Sequence, residues 1–245
     1  MNDTIRLLQN HRSIRKFLTT PVERDKLDAI LQSGQMASTS SNMQAYSIIG
    51  IEDAELRKQL ASLCGNQIYV EQCPVFLVWC ADLHRLSAVA ALHGTEAQAD
   101  TTEYFVIATV DTALAAQNAA IAAESLGLGV VYIGGIRNRI SEVADLLQLP
   151  ERVYPVFGMC LGYPDQAPVL RPRLPLAAVY HQDAYRIDSE LPAVAEYDET
   201  TREYMTARSQ GRTSRSWSEQ MAEKMGNPSR LHMQSFLTKK GFLKR

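Results

Sequence analysis

A cluster of basic and hydroxyl side chains near the start of the chain has the chemistry of an anion site. Residues 11–17 read His-Arg-Ser-Ile-Arg-Lys-Phe. An arginine guanidinium is a permanently charged, planar fork of N–H donors, which suits a phosphate or an electron-rich ring. Short basic runs also occur on ordinary solvated surfaces. The cluster therefore predicts an anion site only if the rest of the chain supplies matching groups.

Arg171 and Arg173 form a second pair of cations, in a stretch that prolines stiffen. In an extended chain the side chains of residues i and i+2 face the same side, so both guanidinium groups can reach one anion. The pair therefore complements the first cluster. The prolines of this stretch are Pro164, Pro168, Pro172 and Pro175.

Two short stretches have the composition of ligand-lining loops. Residues 37–42 are all small or polar, which predicts either a loop or helix cap, or a hydroxyl-lined wall for a polar ligand. Gly134 and Gly135 follow a predicted strand, where glycines let the backbone approach a ligand with its N–H groups. A plain turn explains the glycine pair equally well. The spacing is not the G-x-G-x-x-G fingerprint of dinucleotide-binding folds.

The hydrophobic pattern predicts the elements that must position these stretches. Residues 84–99 have no clear pattern and are predicted to be a surface excursion. Ser141 is the predicted N-cap of a helix over 142–149. Beyond residue 176 apolar residues are too sparse for a separate core, so this segment is expected to wrap onto the body or a partner subunit. The other predicted helices span 4–9, 22–35, 53–64 and 102–126, and the predicted strands span 46–49, 75–80, 130–133 and 156–162.

The helix predicted over 102–126 is the longest regular element. Its apolar residues lie on several faces, and polar residues interrupt it, which disfavours a membrane span. Its many alanines would let another helix approach closely. We expect it to lie in the core or at a subunit interface, and we favour dimerisation across it. The interrupting residues are Asp111, Gln117, Asn118 and Glu124.

The bulk composition excludes several classes of protein. A chain of 245 residues with 46% hydrophobic residues is long and apolar enough for one large folded domain. A net charge of -2 argues against a general nucleic-acid binder. The four cysteines contain no C-x-x-C pair, so neither a zinc site nor a disulfide framework is indicated. The N-terminus lacks the pattern of a signal peptide, so a cytoplasmic protein is expected.

Five stretches follow one another along the chain: HRSIR at 11–15, STSS at 38–41, GNQIYV at 65–70, YIGGIRN at 132–138 and RPRLP at 171–175. Each is weak alone, but in register they resemble the nitroreductase family. More narrowly, they resemble its NADPH-dependent, oxygen-insensitive nitroreductase and flavin reductase branch. The resemblance covers essentially the whole chain and extends to NAAIAAESLGLG at 118–129 and to the arginine-bearing tail.

The resemblance implies an α+β fold around a mostly antiparallel sheet flanked by helices. It implies a single nitroreductase-like domain over residues 1–245, whose segment 176–245 extends onto the partner of an intertwined homodimer. Two FMN sites would lie at the subunit interface. The implied cofactor-binding residues are His11, Arg12, Ser13, Arg15, Ser38, Thr39, Ser40, Ser41, Gln67, Tyr69, Ile133, Gly134, Gly135, Arg171 and Arg173.

The family's roles carry over to matching positions. His11 and Ser13, with Arg171 and Arg173, would hold the FMN phosphate; relatives can carry lysine at the first position of the arginine pair, which preserves its charge. Arg15 would lie by the pyrimidine edge of the flavin ring. A cation there stabilises the negative charge that the ring gains on reduction.

The remaining roles concern the ring and its surroundings. Arg12 would contact the ribityl or pyrimidine side, and residues 38–41 would come from the opposite subunit. Gln67 would approach the ring, and the amides of Gly134 and Gly135 would face N5 and O4. The chemistry then belongs to the cofactor, with hydride arriving from NADPH and two electrons leaving to an acceptor in a ping-pong cycle, and no protein residue acts as nucleophile or base.

The tail would bind the co-substrate. Arg208 matches the family arginine that engages the 2′-phosphate side of NADPH, and Arg212 or Arg215 could assist it. A flexible, solvated basic loop is the alternative for this stretch. A flavin site open to flat electron acceptors would take nitroaromatics, free flavins, quinones and related compounds, and the sequence does not select among them.

Two other functions compete with this hypothesis. A cysteine hydrolase would need a reactive thiol, but Cys80 and Cys160 lie in apolar strand patterns typical of inert core thiols. A flavin-binding sensor or partner-binding protein could keep the FMN pocket without turnover. The retained nucleotide-binding arginine weighs against the sensor.

Overall fold

A four-stranded antiparallel sheet forms the centre of the chain. The computed structural model describes residues 1–245, with the side chain of Ser189 left aside. The strand order is β1-β2-β4-β3, and each neighbouring pair is antiparallel, which confirms the mostly antiparallel sheet. The strands are β1 (Tyr46–Ile51), β2 (Val75–Asp82), β3 (Gly129–Ile133) and β4 (Val153–Gly162).

Ten α-helices accompany the sheet in the described chain. They are α1 (Asp3–Gln9), α2 (Arg24–Gln35), α3 (Ala54–Leu63), α4 (Ile68–Gln72), α5 (His84–Leu92), α6 (Thr102–Ser125), α7 (Ile140–Leu146), α8 (Glu190–Ser209), α9 (Trp217–Gly226) and α10 (Met233–Lys239). Helices packed on an antiparallel sheet make this an α+β fold.

The central strand β2 separates two hydrophobic clusters because its side chains alternate between the two faces of the sheet. Leu77 and Trp79 pack in one cluster with α2 and α6. Phe76, Val78 and Cys80 belong to the other cluster, with residues of α3, α4, α7 and α10. Helices therefore cover both faces of the sheet.

The alanine-rich side of α6 lies directly on the Trp79 side of the sheet. A Cβ added to Gly34 of α2 would lie 3.1 Å from the carbonyl oxygen of Ala115, so α2 also approaches α6 closely. By length and composition α6 is apolar enough to cross a membrane. Its burial against the sheet, and the buried Asp111 within it, identify it instead as a core helix. The buried alanines are Ala108, Ala115, Ala116, Ala119, Ala120 and Ala123.

The chain divides into two compact units. The first comprises Met1–Pro168 together with Arg230–Arg245, and α10 contributes Phe236 and Leu237 to its core. The second comprises Val169–Ser229.

The second unit is built around α8 and α9. The hydroxyl of Tyr197 donates to the carbonyl oxygen of Pro172 at 2.9 Å. The Tyr197 ring packs edge-on against Trp217, with the ring centroids 5.9 Å apart. A capping box of Ser216 and Glu219 begins α9.

Several elements differ from the sequence-based prediction. Residues 84–99 contain α5, and Asp82 at the end of β2 accepts a hydrogen bond from the Arg85 amide of its first turn. None of its residues is buried, and its apolar residues Leu86, Val89 and Leu92 are separated by small and polar ones. Ser141 is not an N-cap, because α7 begins at the fully buried Ile140 after Arg139. The short helix α4 and the helices of the tail were not predicted.

Candidate active site

The basic segment at residues 11–17 runs beside the first residues of β3. Ser13 forms a parallel bridge with Val130, and the Ile14 amide donates to the Val130 carbonyl oxygen at 2.9 Å. Ile14 is buried, while Ser13 is half-buried and Arg15 is exposed. A Cβ on Gly129 would lie 2.5 Å from the Ile14 side chain, so only glycine allows this approach. Strand β3 therefore fixes the position of the basic segment.

His11 is held by a carboxylate that the sequence reasoning did not select. Its Nδ1 lies 2.6 Å from Oε1 of Glu124, near the end of α6, and both side chains are largely buried. A proton on Nδ1 donates to this carboxylate, which fixes the orientation of the imidazole ring. The only sequence signal was an acidic residue that interrupts an apolar helix. Glu124 thus orients the first donor of the segment.

Arg12 carries a buried donor without a partner. Within the described chain its Nε–H is buried from solvent and donates no hydrogen bond. A cavity of about 260 Å³ lies beside it, with Glu124 and Gly129 also in its lining. A buried donor left unpaired costs roughly 1–3 kcal/mol, which a ligand acceptor in this cavity would recover. The side chain is therefore suited to a bound polar or anionic group.

The glycine pair follows the other end of β3 and meets Gln67. Gly134 and Gly135 begin a 3-10 helix, whose opening N–H groups have no partner inside that helix. A Cβ on Gly135 would lie 2.3 Å from the carbonyl oxygen of Cys64 and 2.7 Å from Nε2 of Gln67. The chain around Gln67 therefore packs directly on the Gly135 backbone.

Both ends of the Gln67 amide are occupied. Its Nε2 donates to the Cys64 carbonyl oxygen at 3.0 Å, and its Oε1 accepts from the Tyr69 hydroxyl at 2.7 Å. The Tyr69 hydroxyl thus fixes the orientation of the Gln67 amide. Ile133 is 1% exposed, so only its backbone is available to a ligand. The sequence motifs at 65–70 and 132–138 meet here as one rigid surface.

The hydroxyl run at residues 38–41 lies in an exposed loop before β1. Ser38, Ser40 and Ser41 are exposed and Thr39 is half-buried. Asp111 accepts the backbone N–H of Ser40 at 3.0 Å. Within the described residues, no hydrogen bond joins this loop to the basic segment or to the glycine pair.

The five arginines predicted in the tail region all belong to the second unit. Arg171 and Arg173 are exposed, and Nη1 of Arg173 donates to the Arg171 carbonyl oxygen at 2.8 Å. Nε of Arg212 donates to a backbone carbonyl at 3.0 Å, and Arg215 forms an ion pair of 2.5 Å with Glu223. Arg208 is exposed and has no partner among the described residues.

The cysteines are core thiols. All four are buried and free. Burial raises the pKa of the Cys64 thiol to about 12, and burial with a smaller effect of Asp82 does the same at Cys80. Burial, followed by the neighbouring Cys73, also raises the pKa of Cys160. Thiols with such pKa values hold almost no thiolate at neutral pH and are poor nucleophiles. The described residues contain no cluster of three or more potential metal ligands.

Two family models match the chain. The nitroreductase family matches residues 8–163, and the nitroreductase family C-terminal domain matches residues 171–245. The chain belongs to the nitroreductase family. The matched ranges contain every residue that the sequence motifs singled out.

Nitroreductase relatives align with this chain along its whole length. The FMN reductase (NADPH) of Bacillus subtilis (strain 168) is 42% identical over 248 aligned positions, which cover 100% of both chains. The oxygen-insensitive NADPH nitroreductase of Salmonella typhimurium is 42% identical over 246 positions, again 100% of both. The solved structure of B. megaterium NfrA1 matches with a TM-score of 0.97 at 44% identity, covering 99% of this chain and 100% of that one. The nitroreductase fold is therefore shared throughout.

The close packing of the Gly135 backbone on the Cys64 carbonyl predicts a loss of stability that is specific to this position. Gly135→Ala is expected to lower the free energy of unfolding by about 1–3 kcal/mol, because the new methyl overlaps backbone that cannot move independently. Gly134→Ala is the matched control, since its Cβ would come no closer than 3.4 Å to the Arg137 side chain. Urea unfolding of both variants measures the difference, and equal stabilities would contradict the close packing at Gly135.

Proposed function

We propose that this chain is an FMN-dependent oxidoreductase that uses NADPH to reduce nitroaromatics, free flavins, quinones or related acceptors by a ping-pong two-electron mechanism. The observation that carries the proposal is the unpartnered buried Nε of Arg12, in a segment rich in anion donors and beside a cavity. The full-length relatives named as an FMN reductase and an NADPH nitroreductase support the same chemistry.

The described residues fit the phosphate end of FMN. His11, oriented by Glu124, and Ser13 offer donors beside the start of β3, and Arg12 offers its unpaired Nε. Arg171 and Arg173 add two exposed guanidinium groups from the second unit, and we assign them to the same phosphate. The positive charge of this set matches a dianionic phosphate.

The surface formed by Gly134, Gly135 and Gln67 fits the ring end. The glycine backbone has no side chain to keep a flat ring away, and its amide N–H groups can donate without titrating. Gln67, fixed through Tyr69, keeps one orientation, and Arg15 supplies the cation for the pyrimidine edge. FMN supplies, when bound, the two-electron exchange between NADPH and the acceptor. The chain's residues bind and orient, and none is needed as nucleophile or base.

We assign the recognition of NADPH to Arg208. Its guanidinium is exposed and has no partner within the described chain, so it can meet the 2′-phosphate without losing another contact. Arg215 already forms an ion pair with Glu223, whereas Arg212 donates only its Nε–H, to the Ser209 carbonyl oxygen. Arg212 is therefore the better candidate for a second contact.

We further propose that the protein is a cytoplasmic homodimer of one nitroreductase-like domain, in which segment 176–245 wraps onto the partner. Helix α6 carries an apolar stripe of Val106, Val110 and Leu114, exposed by 46%, 47% and 44%. These residues are spaced by four and lie on one side of the helix. A second copy would cover this stripe, and residues 38–41 would then reach the partner's FMN. The buried free thiols suit a reducing compartment.

Anaerobic mixing tests the reaction. When the flavin-loaded protein is mixed with NADPH, the flavin absorbance is expected to bleach within the mixing time, and a nitroaromatic or quinone should restore it. An unchanged spectrum would contradict the proposed activity and favour a flavin-binding sensor. A panel of acceptors, assayed with NADPH and with NADH, then identifies the preferred substrates.

The co-substrate assignment predicts a selective kinetic defect. Arg208→Ala should raise the KM for NADPH by about 10-fold or more, as expected for a lost charged hydrogen bond, and leave the KM for the acceptor nearly unchanged. Arg215→Ala is the matched control, because that guanidinium is already engaged by Glu223 and should give a smaller change. Unchanged KM values for Arg208→Ala would show that the tail assignment is wrong.

The dimer proposal predicts a change of mass in solution. Val110→Glu places a charge in the apolar stripe of α6 and is expected to convert a dimer into a species near 27.3 kDa. Val89→Glu on α5 changes a valine with the same 47% exposure outside the stripe and should leave the dimer intact. Light scattering after size exclusion measures both. A dimer that survives Val110→Glu would contradict this interface.

A further inference from the structure

A buried carboxylate on α6 holds both ends of the hydroxyl loop, residues 40–45, which begins with Ser40 and Ser41. Asp111 is 1% exposed. Its Oδ1 accepts the backbone N–H of Ser40 and its Oδ2 accepts the backbone N–H of Ala45, each at 3.0 Å. One side chain therefore bridges the start of the loop and the residue that leads into β1.

The loop between these two contacts has an uncommon backbone. Ser41, Asn42 and Gln44 have φ values of 48°, 56° and 51°, in the left-handed region that residues other than glycine rarely occupy. Such residues each cost free energy and persist only where the surroundings hold them. Within the described part of the chain, most of the loop's other hydrogen bonds are local, as from the Met43 amide to the Ser40 carbonyl oxygen. At its end, the Ala45 carbonyl oxygen also accepts the Asp82 amide of β2 at 2.9 Å. Asp111 is thus the side chain that joins Ser40, at the start of the loop, to the core.

The two contacts require a carboxylate. Both donors are backbone N–H groups, so both side-chain oxygens must accept. Asparagine offers one oxygen and would turn its NH₂ toward the second N–H. These two backbone N–H donors satisfy both oxygens of the buried carboxylate.

The same helix turn also carries the apolar stripe. Val110 precedes Asp111, and Leu114 follows it by three residues. Successive helix residues are separated by about 100°, so Val110 lies about 100° and Leu114 about 60° around the helix axis from Asp111. The stripe therefore borders the side of α6 that carries the carboxylate. A partner docked on the stripe and a loop held by Asp111 would share one rigid element.

We propose that Asp111 is a positioning residue for FMN binding: it fixes residues 38–41 in the conformation in which their hydroxyl and amide groups reach the flavin of the partner subunit. This inference rests on the proposed function, because it takes FMN as the ligand. Its physical part, that Asp111 holds the loop, is independent of the ligand. Asp111 touches neither FMN nor substrate in this scheme and acts through the loop alone.

Asp111→Asn tests the tie from the side of the helix. In the flavin-free protein, amide hydrogen exchange at Ser40 and Ala45 should accelerate, and FMN titrated against flavin fluorescence should bind about 10- to 100-fold more weakly. Thr112→Val is the matched control, since Thr112 is equally buried on α6 and bonds only to backbone carbonyls of Cys80 and Ala108. This control should keep its FMN affinity within about twofold.

A second pair of variants tests the tie from the loop, should Asp111→Asn fold poorly. Ser40→Pro removes the N–H that donates to Asp111, at the first position of a short 3-10 helix, where proline is tolerated. Thr39 before it is already extended, at φ -131° and ψ 154°, as proline requires. Ser40→Ala keeps the N–H and loses the hydroxyl. FMN should bind Ser40→Pro more weakly than Ser40→Ala.

The outcomes separate this inference from the proposed function. Wild-type protein that binds no FMN would overturn the proposed function and the FMN part of this inference, while the exchange rates would still decide whether Asp111 holds the loop. If wild type binds FMN and Asp111→Asn binds it equally well, the positioning role is wrong. The role is also wrong if Ser40→Pro and Ser40→Ala bind FMN alike. Weaker binding by Asp111→Asn and Ser40→Pro, with normal binding by Thr112→Val, supports it.

Discussion

The close seating of α6 on the sheet is the constraint on which most of this structure depends. Alanine side chains on one side of the helix allow it to lie against Trp79 and Leu77, and Gly34 allows α2 to join them. Interiors are packed densely, so an element seated this closely has little freedom to shift. Glu124, which orients His11, and Asp111, which ties the hydroxyl loop, both project from this one helix. One helix therefore supports His11 in this subunit's proposed FMN site and the loop proposed to reach the FMN of the partner subunit.

Strand β3 is a second rigid support, and it positions the basic segment and the glycine pair. Its first residues pair with the basic segment, and its last residue leads into the glycine pair. A strand rises by about 3.3 Å per residue, so the four steps along the chain from Val130 to Gly134 separate these features by roughly 13 Å. The proposed phosphate and ring ends are thus spaced by backbone geometry, and side chains only refine the fit.

Much of the fold could be predicted from the sequence, because each strand carries a compact apolar run and α6 a long one. Helix α5 escaped prediction because it is short and buries no residue, and only Leu86, Val89 and Leu92 stand out among its small and polar residues. Ser141 is a good N-cap by residue type, but Ile140 is buried and already helical, so α7 begins before Ser141. At the site, motifs identified the residues expected to touch a ligand. Glu124 and Asp111 were seen only as interruptions of a helix, because their partners are more than 60 residues away in the chain.

The second unit is inserted in the sequence of the first unit, which ends its first segment at Pro168 and resumes at Arg230. The returning segment buries Phe236, Leu237 and Phe242, and its Lys240 exchanges hydrogen bonds with the backbone of Arg152 and Leu149. These contacts do not depend on the continuity of the chain through the second unit. A protease nick within residues 169–229 would therefore leave the two fragments associated, with the short C-terminal piece retained as a non-covalent part of the sheet-bearing body.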